Sequence, residues 1–300
     1  MISQEHISSL HVDWFGGEPF MFFEKIIKPI TKYAIKRCKE QNIPFISGAT
    51  TNGYFINEKI SRQLKDLKFR QFQITLDGEK QFHDKVKFTK GCESTFDHVL
   101  GNINNILKFN DSVRVFLRIN YTHETLTENI VEQVNRFIDK RYRERVIITP
   151  KKVWQETIDK KFSSVLIPIL DRFEQSGYKV TRMGMLTLSV PCYVNRKYYN
   201  AINYNGHVVK CTACDDLYST EPKGLLMPDG IIKWADGYDE QCTIATFENQ
   251  RCLECNKLPV CMGPCPRDYQ LGYKRCKYDV SDDDLETTLL DLLKNVYKME

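Results

Sequence analysis

Residues 10–19 read Leu-His-Val-Asp-Trp-Phe-Gly-Gly-Glu-Pro, and this stretch decides the fold. Residues 10–14 alternate like a β-strand, and the two glycines and the proline that follow mark a loop. Apolar residues then recur at helical spacing over residues 22–35. A strand, a glycine loop and a helix in that order form the repeating unit of parallel α/β proteins.

The same unit recurs along the first half of the chain. Residues 44–46, 72–76, 113–120 and 146–148 are strand-like, and helical patterns follow at 60–67, 96–107, 130–138 and 165–173. Asn57 and Ser94 stand where N-caps are expected. The pattern therefore predicts five βα units.

Past about residue 185 the sequence changes to short segments rich in Cys, Gly, Pro, Tyr and Asn. Such segments are typical of loops around a metal. We therefore expect one domain over residues 1–185 and a second over residues 186–300, closed by a helix that starts near Ser281.

Polar and glycine residues follow three consecutive predicted strands. Gly16-Gly17-Glu18 follows the first strand, Asn52-Gly53 the second and Asp77-Gly78 the third. Loops at the carboxyl ends of parallel strands carry ligand sites in α/β folds. A ligand site is therefore expected there, although plain turns remain the alternative for each loop.

Bulk composition excludes several classes of protein. The net charge of +4 is spread over mixed-sign segments, so nothing favours binding to nucleic acid. No basic segment followed by an apolar run opens the chain, and no apolar run reaches about 18 residues. We therefore expect a cytoplasmic protein with no membrane partner.

The chain has 11 cysteines, and nine of them lie between residues 192 and 276, eight of these in closely spaced groups or at the ends of such groups. This concentration in a long chain without a signal peptide favours metal ligation over disulfides. Cys38 and Cys92 before this range, and Cys242 within it, stand alone and are interpreted as structural.

The most specific pattern is Cys252-x2-Cys255-x5-Cys261-x3-Cys265. Upstream, Cys192-x13-Gly206-x4-Cys211 flanks a predicted hairpin with Asn-Gly at its turn, which would bring Cys192 and Cys211 together. Four thiolates suit zinc or an iron–sulfur cluster equally well. Redox-active thiols and chance core cysteines are the remaining alternatives.

The order of these cysteines, with Cys276 last, resembles the seven-cysteine signature of the SPASM domain. The resemblance implies two auxiliary [4Fe–4S] clusters. One would be held by Cys252, Cys255, Cys261 and Cys276, and the other by Cys192, Cys211 and Cys265. Cys214 is the candidate for the fourth ligand of the second cluster, and an open iron site is the alternative.

The three glycine loops resemble the radical-SAM barrel of peptide-modifying SPASM enzymes over residues 8–140. The resemblance implies S-adenosylmethionine (SAM) as cofactor and a peptide or protein as substrate, with a possible electron donor. By that likeness the methionine end of SAM would contact the Gly16-Gly17-Glu18-Pro19 motif, and Asn52 and Thr75 would lie near the nucleoside. Arg118 would pair with the SAM carboxylate, or else is a surface arginine on a strand.

The sequence also departs from the family. Radical-SAM enzymes cleave SAM with a cluster held by Cys-x3-Cys-x2-Cys, and these 300 residues contain no such triplet. The expected fold is therefore a partial (β/α) TIM-like barrel missing its first βα unit, with a cysteine-rich SPASM domain of short hairpins and loops. We expect a truncated form that does not cleave SAM by itself; a degenerate relative is the alternative.

The functional hypothesis is a radical SAM/SPASM maturase of peptides or proteins. The family members that act on sulfatases carry an acidic residue after the second signature cysteine, and this chain has Thr212, which disfavours that activity. The alternatives are a non-catalytic iron–sulfur protein for binding or electron transfer, and a zinc-stabilised interaction module.

Overall fold

The computed structural model describes residues 7–122, 124–153, 163–181, 192–213, 215–238 and 250–255, together with 258, 263, 265 and 290. The chain divides into two compact units, Ile2–Arg182 and Met183–Glu300. The assignment of the two units as a barrel domain and a SPASM domain stays a prediction.

The first unit is built on one parallel sheet of six strands, whose order in the sheet is their order in the chain. The strands are β1 Leu10–Trp14, β2 Phe45–Thr51, β3 Phe69–Asp77, β4 Arg114–Tyr121, β5 Val146–Lys152 and β6 Lys179–Val180. The predicted α/β class with a parallel sheet is therefore confirmed. Barrel closure and the missing first unit stay predictions.

Helices connect the strands, as parallel pairing requires. They are α1 Lys28–Glu40, α2 Glu58–Ser61, α3 Lys80–Val86, α4 Thr95–Phe109, α5 Asn129–Asn135 and α6 Ser163–Gln175, with 3-10 helices at Pro19–Phe22 and Lys140–Arg145 and a π-helix at Phe23–Ile27. The two predicted N-caps are confirmed. The side chain of Asn57 accepts from the Ile60 N–H at 3.1 Å, and the Ser94 hydroxyl accepts from the Asp97 N–H at 3.1 Å.

The core of this unit lies between the helices and one face of the sheet. Alternate residues of the central strands are fully buried there, such as Ile74 and Leu76 of β3 and Leu117 of β4. The residues between them, including Thr75 and Arg118, are half-buried on the opposite face. That face is largely polar, and it carries the candidate site.

The second unit contains two short antiparallel pairs. β7 Ala201–Ile202 pairs with β8 Val208–Val209, and β9 Gly224–Leu226 pairs with β10 Ile232–Trp234. The predicted Asn-Gly turn is confirmed, since Gly206 has φ +82° and its N–H donates to the Asn203 carbonyl at 3.0 Å. A short helix, α7 Gln250–Leu253, and a 3-10 helix at Tyr193–Asn195 lie near signature cysteines.

Three details differ from the sequence predictions. The sheet has a sixth strand, which is only two residues long and is too short to show an alternation of polar and apolar residues. The predicted helix over residues 60–67 is helical only over Glu58–Ser61 and continues as turns, because Leu64 and Lys68 donate to carbonyls three residues back. The predicted closing helix near Ser281 lies outside the described residues.

Within the described residues, no helix has the length and apolar character that a membrane crossing requires.

Candidate functional site

The carboxyl ends of β1 and β2 are tied together by one carboxylate. Glu18 Oε1 accepts from the Thr51 hydroxyl at 2.7 Å and from the Phe20 N–H at 3.0 Å. Glu18 Oε2 accepts from the Asn52 N–H at 2.8 Å. The carboxylate therefore holds the loops after β1 and β2 in one arrangement, a role that the predicted contact of Glu18 with the methionine end of SAM did not include.

Gly16 and Gly17 leave the loop after β1 open. Their φ values are +92° and +55°, which favour glycine, and a Cβ at either position would have nothing within 4 Å. Both residues are exposed, while Pro19 opens the 3-10 helix that follows. A ligand can therefore approach this backbone closely.

Asn52 and Thr75 lie at the ends of neighbouring strands. Asn52 is exposed, and its side-chain oxygen accepts from the Tyr54 N–H at 2.8 Å, which fixes the turn after β2. Thr75 of β3 lies in register with Arg118 of β4, which in turn lies in register with Thr149 of β5. The structure therefore brings the predicted residues of β3 and β4 side by side.

Arg118 is held by its neighbour two residues on. Arg118 Nε donates to Asn120 Oδ1 at 2.7 Å, and Asn120 Nδ2 donates to Asp77 Oδ1 at 2.8 Å. Lys87 Nζ lies 3.6 Å from the other carboxylate oxygen of Asp77. Arg118 is therefore the first member of a series of side-chain hydrogen bonds that continues through Asn120 to Asp77.

A buried histidine supports the same loop. The Asp77 N–H donates to His83 Nδ1 at 3.1 Å, so this ring nitrogen is the unprotonated one. Burial lowers the pKa of His83, against the Asp77 and Asp84 carboxylates, which raise it. The imidazole is therefore neutral at pH 7.

The contact of these residues with the amino-acid end of SAM stays a prediction, and their chemistry suits it. A guanidinium suits a carboxylate, and an open glycine backbone suits a ligand that needs close approach. The sequence pattern does not predict the role of Asn120, because that role depends on the register of β3 and β4. Gly48 was also missed: a Cβ there would lie 2.1 Å from Asp13 Oδ1 and 2.8 Å from Gln71 Cγ.

Five of the eight predicted metal-ligating cysteines lie among the described residues, and none of these is in a disulfide: Cys192, Cys211, Cys252, Cys255 and Cys265. Cys214, Cys261 and Cys276 lie outside those residues. In the described part of the chain, no three Cys, His, Asp or Glu side chains are grouped to hold a metal. The cluster ligand sets therefore stay predictions.

Two local features fit the predicted role of these cysteines. The Cys255 N–H donates to the Cys252 carbonyl at 3.1 Å, so the Cys-x2-Cys segment is a tight turn. The Tyr193 hydroxyl lies 2.9 Å from the Thr212 hydroxyl, which links the residues next to Cys192 and Cys211. Burial raises the pKa of Tyr193, against the hydrogen bond with Thr212, and charge on the Cys211 sulfur raises it further.

No protein-family model matches the chain. A curated protein of Clostridium novyi (strain NT), a cysteine-type anaerobic sulfatase-maturating enzyme, is 24% identical over 303 residues, covering 86% of this chain and 73% of that protein.

Solved structures match the fold. A structure of native anSMEcpe with bound AdoMet and Cp18Cys peptide has a TM-score of 0.58 at 13% identity, covering 99% of this chain and 86% of that one. Streptococcus suis SuiB bound to S-adenosylmethionine has a TM-score of 0.51 at 18% identity, covering 85% of this chain and 61% of that one. The chain is therefore similar in sequence to a sulfatase-maturating enzyme and shares its fold with anSMEcpe and SuiB.

Proposed function

We propose that this chain is the SAM-binding and auxiliary-cluster part of a radical SAM/SPASM maturase that modifies a peptide or protein. Two observations carry the proposal: the open Gly16-Gly17 backbone after β1, and the half-buried Arg118 of β4 on the polar face of the same parallel sheet. The similar protein from Clostridium novyi and the structures with bound AdoMet support it. They do not favour an electron-transfer protein or a zinc module.

Arg118, Gly16 and Gly17 would hold the methionine end of SAM, and Asn52 and Thr75 would lie near its nucleoside. SAM supplies a 5′-deoxyadenosyl radical, which abstracts hydrogen, when a reduced cluster cleaves it. These 300 residues contain no Cys-x3-Cys-x2-Cys triplet for such a cluster. The proposed function of these residues is therefore the binding of SAM and of a peptide or protein substrate.

The substrate is proposed to be a peptide or protein, because the matched anSMEcpe and SuiB structures include complexes with a peptide. A sulfatase is not the proposed substrate, because Thr212 stands where sulfatase-acting members have an acidic residue. In this structure Thr212 bonds to Tyr193. A precursor of a ribosomal peptide product or of a cofactor fits better.

The seven signature cysteines, with Cys214 as the candidate eighth ligand, are proposed to hold two auxiliary [4Fe–4S] clusters that pass electrons or bind substrate directly. Thiolate ligation and the surrounding N–H groups would set the potentials of these clusters.

Equilibrium dialysis of the purified chain with radiolabelled SAM tests the proposal. We expect one bound SAM per chain, and an Arg118→Ala variant should bind about tenfold more weakly because a charge-assisted hydrogen bond is lost. Arg70→Ala, at an exposed position of β3, is the matched control. Absence of SAM binding by the unaltered chain would contradict the proposal.

A further inference from the structure

The side-chain amide of Asn120, which is neutral, orients the guanidinium of Arg118. Arg118 is half-buried on the polar face of the sheet, and its Nε–H donates to Asn120 at 2.7 Å. Within the described part of the chain this is the only hydrogen bond of the guanidinium, and Arg118 takes part in no ion pair. Among the described residues, no partner takes the donors of its two terminal nitrogens, which can therefore serve a ligand.

The orientation of the Asn120 amide is determined by its two partners. The Arg118 Nε–H can only donate and an ionised Asp77 carboxylate can only accept, so the amide oxygen must face the arginine and the amide nitrogen must face the aspartate. Asp77 is itself restrained, because Lys87 lies 3.6 Å from its second oxygen and its N–H donates to His83. The hydrogen bond with Asp77 therefore fixes the orientation of the Asn120 amide.

The amide also keeps two opposite charges apart. A carboxylate in direct contact with Arg118 would orient it equally well, but it would also neutralise the guanidinium and weaken its attraction for an anionic ligand. A neutral amide orients the guanidinium and leaves its charge available. Lys87 compensates the charge of Asp77 from the other side.

We propose that Asn120 and Asp77 are positioning residues that aim Arg118 at the carboxylate of the bound ligand and so give the site its preference for a ligand with a carboxylate. The inference rests on the proposed binding of SAM. It adds a specificity mechanism, in which the carboxylate is recognised by one arginine whose direction is fixed across two strands.

Calorimetric titration with SAM and with decarboxylated SAM tests the inference, because only SAM carries the carboxylate. The unaltered chain should prefer SAM. Asn120→Ala should bind SAM about tenfold more weakly while its affinity for decarboxylated SAM changes by less than about twofold. If Asn120 only stabilised the fold, Asn120→Ala would lower the affinity for both ligands by the same factor.

Two further variants test the role of Asp77 and provide a control. Asp77→Asn frees the amide of Asn120 to flip, so the preference for SAM should fall by a smaller factor, about threefold. Asn129→Ala changes an exposed asparagine at the start of α5 and should leave the preference unchanged. Circular dichroism of each variant verifies that it folds.

The outcomes separate the two proposals. If the unaltered chain binds neither ligand, the proposed function is wrong and the inference with it. If the unaltered chain binds SAM and Asn120→Ala keeps the full preference for SAM, the inference alone is wrong.

Discussion

Glu18 Oε2 accepts the backbone N–H of Asn52 at 2.8 Å, which joins the loops after β1 and β2 through one carboxylate. The same carboxylate accepts from Thr51 and Phe20. It therefore makes three hydrogen bonds that a neutral side chain cannot reproduce in full.

Replacing Glu18 should loosen both loops. Glu18→Gln keeps the size but loses the charge and one acceptor, so we expect the free energy of unfolding to fall by about 1–3 kcal/mol. Urea denaturation measures this change. Glu24→Gln, which alters an exposed carboxylate paired with Lys28, is the matched control and should change little. Equal effects of the two variants would show that the Glu18 contacts do not hold the loops.

Gly78 should tolerate no side chain. Its φ is +72°, and a Cβ would lie 2.5 Å from the Thr125 carbonyl oxygen. Gly78→Ala should therefore lower the free energy of unfolding by more than about 2 kcal/mol, through backbone strain and a steric clash together.

Gly91→Ala measures the cost of backbone strain without a steric clash. Gly91 has φ +84°, and a Cβ there would meet nothing within 4 Å, so only the conformational cost of about 1 kcal/mol applies. Thermal or urea unfolding of the two variants compares them. A Gly78→Ala protein no less stable than Gly91→Ala would contradict the predicted clash.

His83 should make the first unit sensitive to mild acid. Burial lowers the pKa of His83 below 6.5, so the unfolded chain takes up a proton near pH 6.5 while the folded protein does not. Stability is therefore complete above pH 6.5 and falls as the pH decreases, by at most about 1.4 kcal/mol per pH unit, until the pKa of the folded state is reached.

Urea unfolding between pH 7.5 and pH 5.5 measures this loss. His83→Asn keeps an acceptor for the Asp77 N–H but cannot titrate, so its stability should depend less on pH over that range. Identical pH profiles for the variant and the unaltered chain would exclude His83 as the cause.

Much of the first unit was predictable because its signals are local. The strand at residues 10–14 has the predicted bounds, and Asn57, Ser94 and the Asn205-Gly206 turn act as their residue types indicate. Each of these features depends on neighbours within a few residues. The two-residue strand β6 was missed because it forms only through pairing with β5.

The candidate site was predictable only in part. Gly16, Gly17 and Arg118 could be predicted because their residue types suit a ligand and they lie in or after predicted strands. The contacts from Asn120 to Asp77, and the close approach of Asp13 to Gly48, depend on strand register. A one-residue change of register would remove these contacts. Which residues of two neighbouring strands lie opposite each other depends on contacts that are distant in the sequence.

The central prediction concerns the metal bound by the cysteines of the second unit. Cys252→Ser should remove iron from one proposed cluster, while Cys92→Ser changes a half-buried cysteine outside the signature and should keep the full content. The most direct measurement is the content of iron and acid-labile sulfide in the anaerobically purified chain. We predict about eight of each per chain, as two [4Fe–4S] clusters require. A folded, colourless chain that contains no iron, or that contains zinc in its place, would contradict the account.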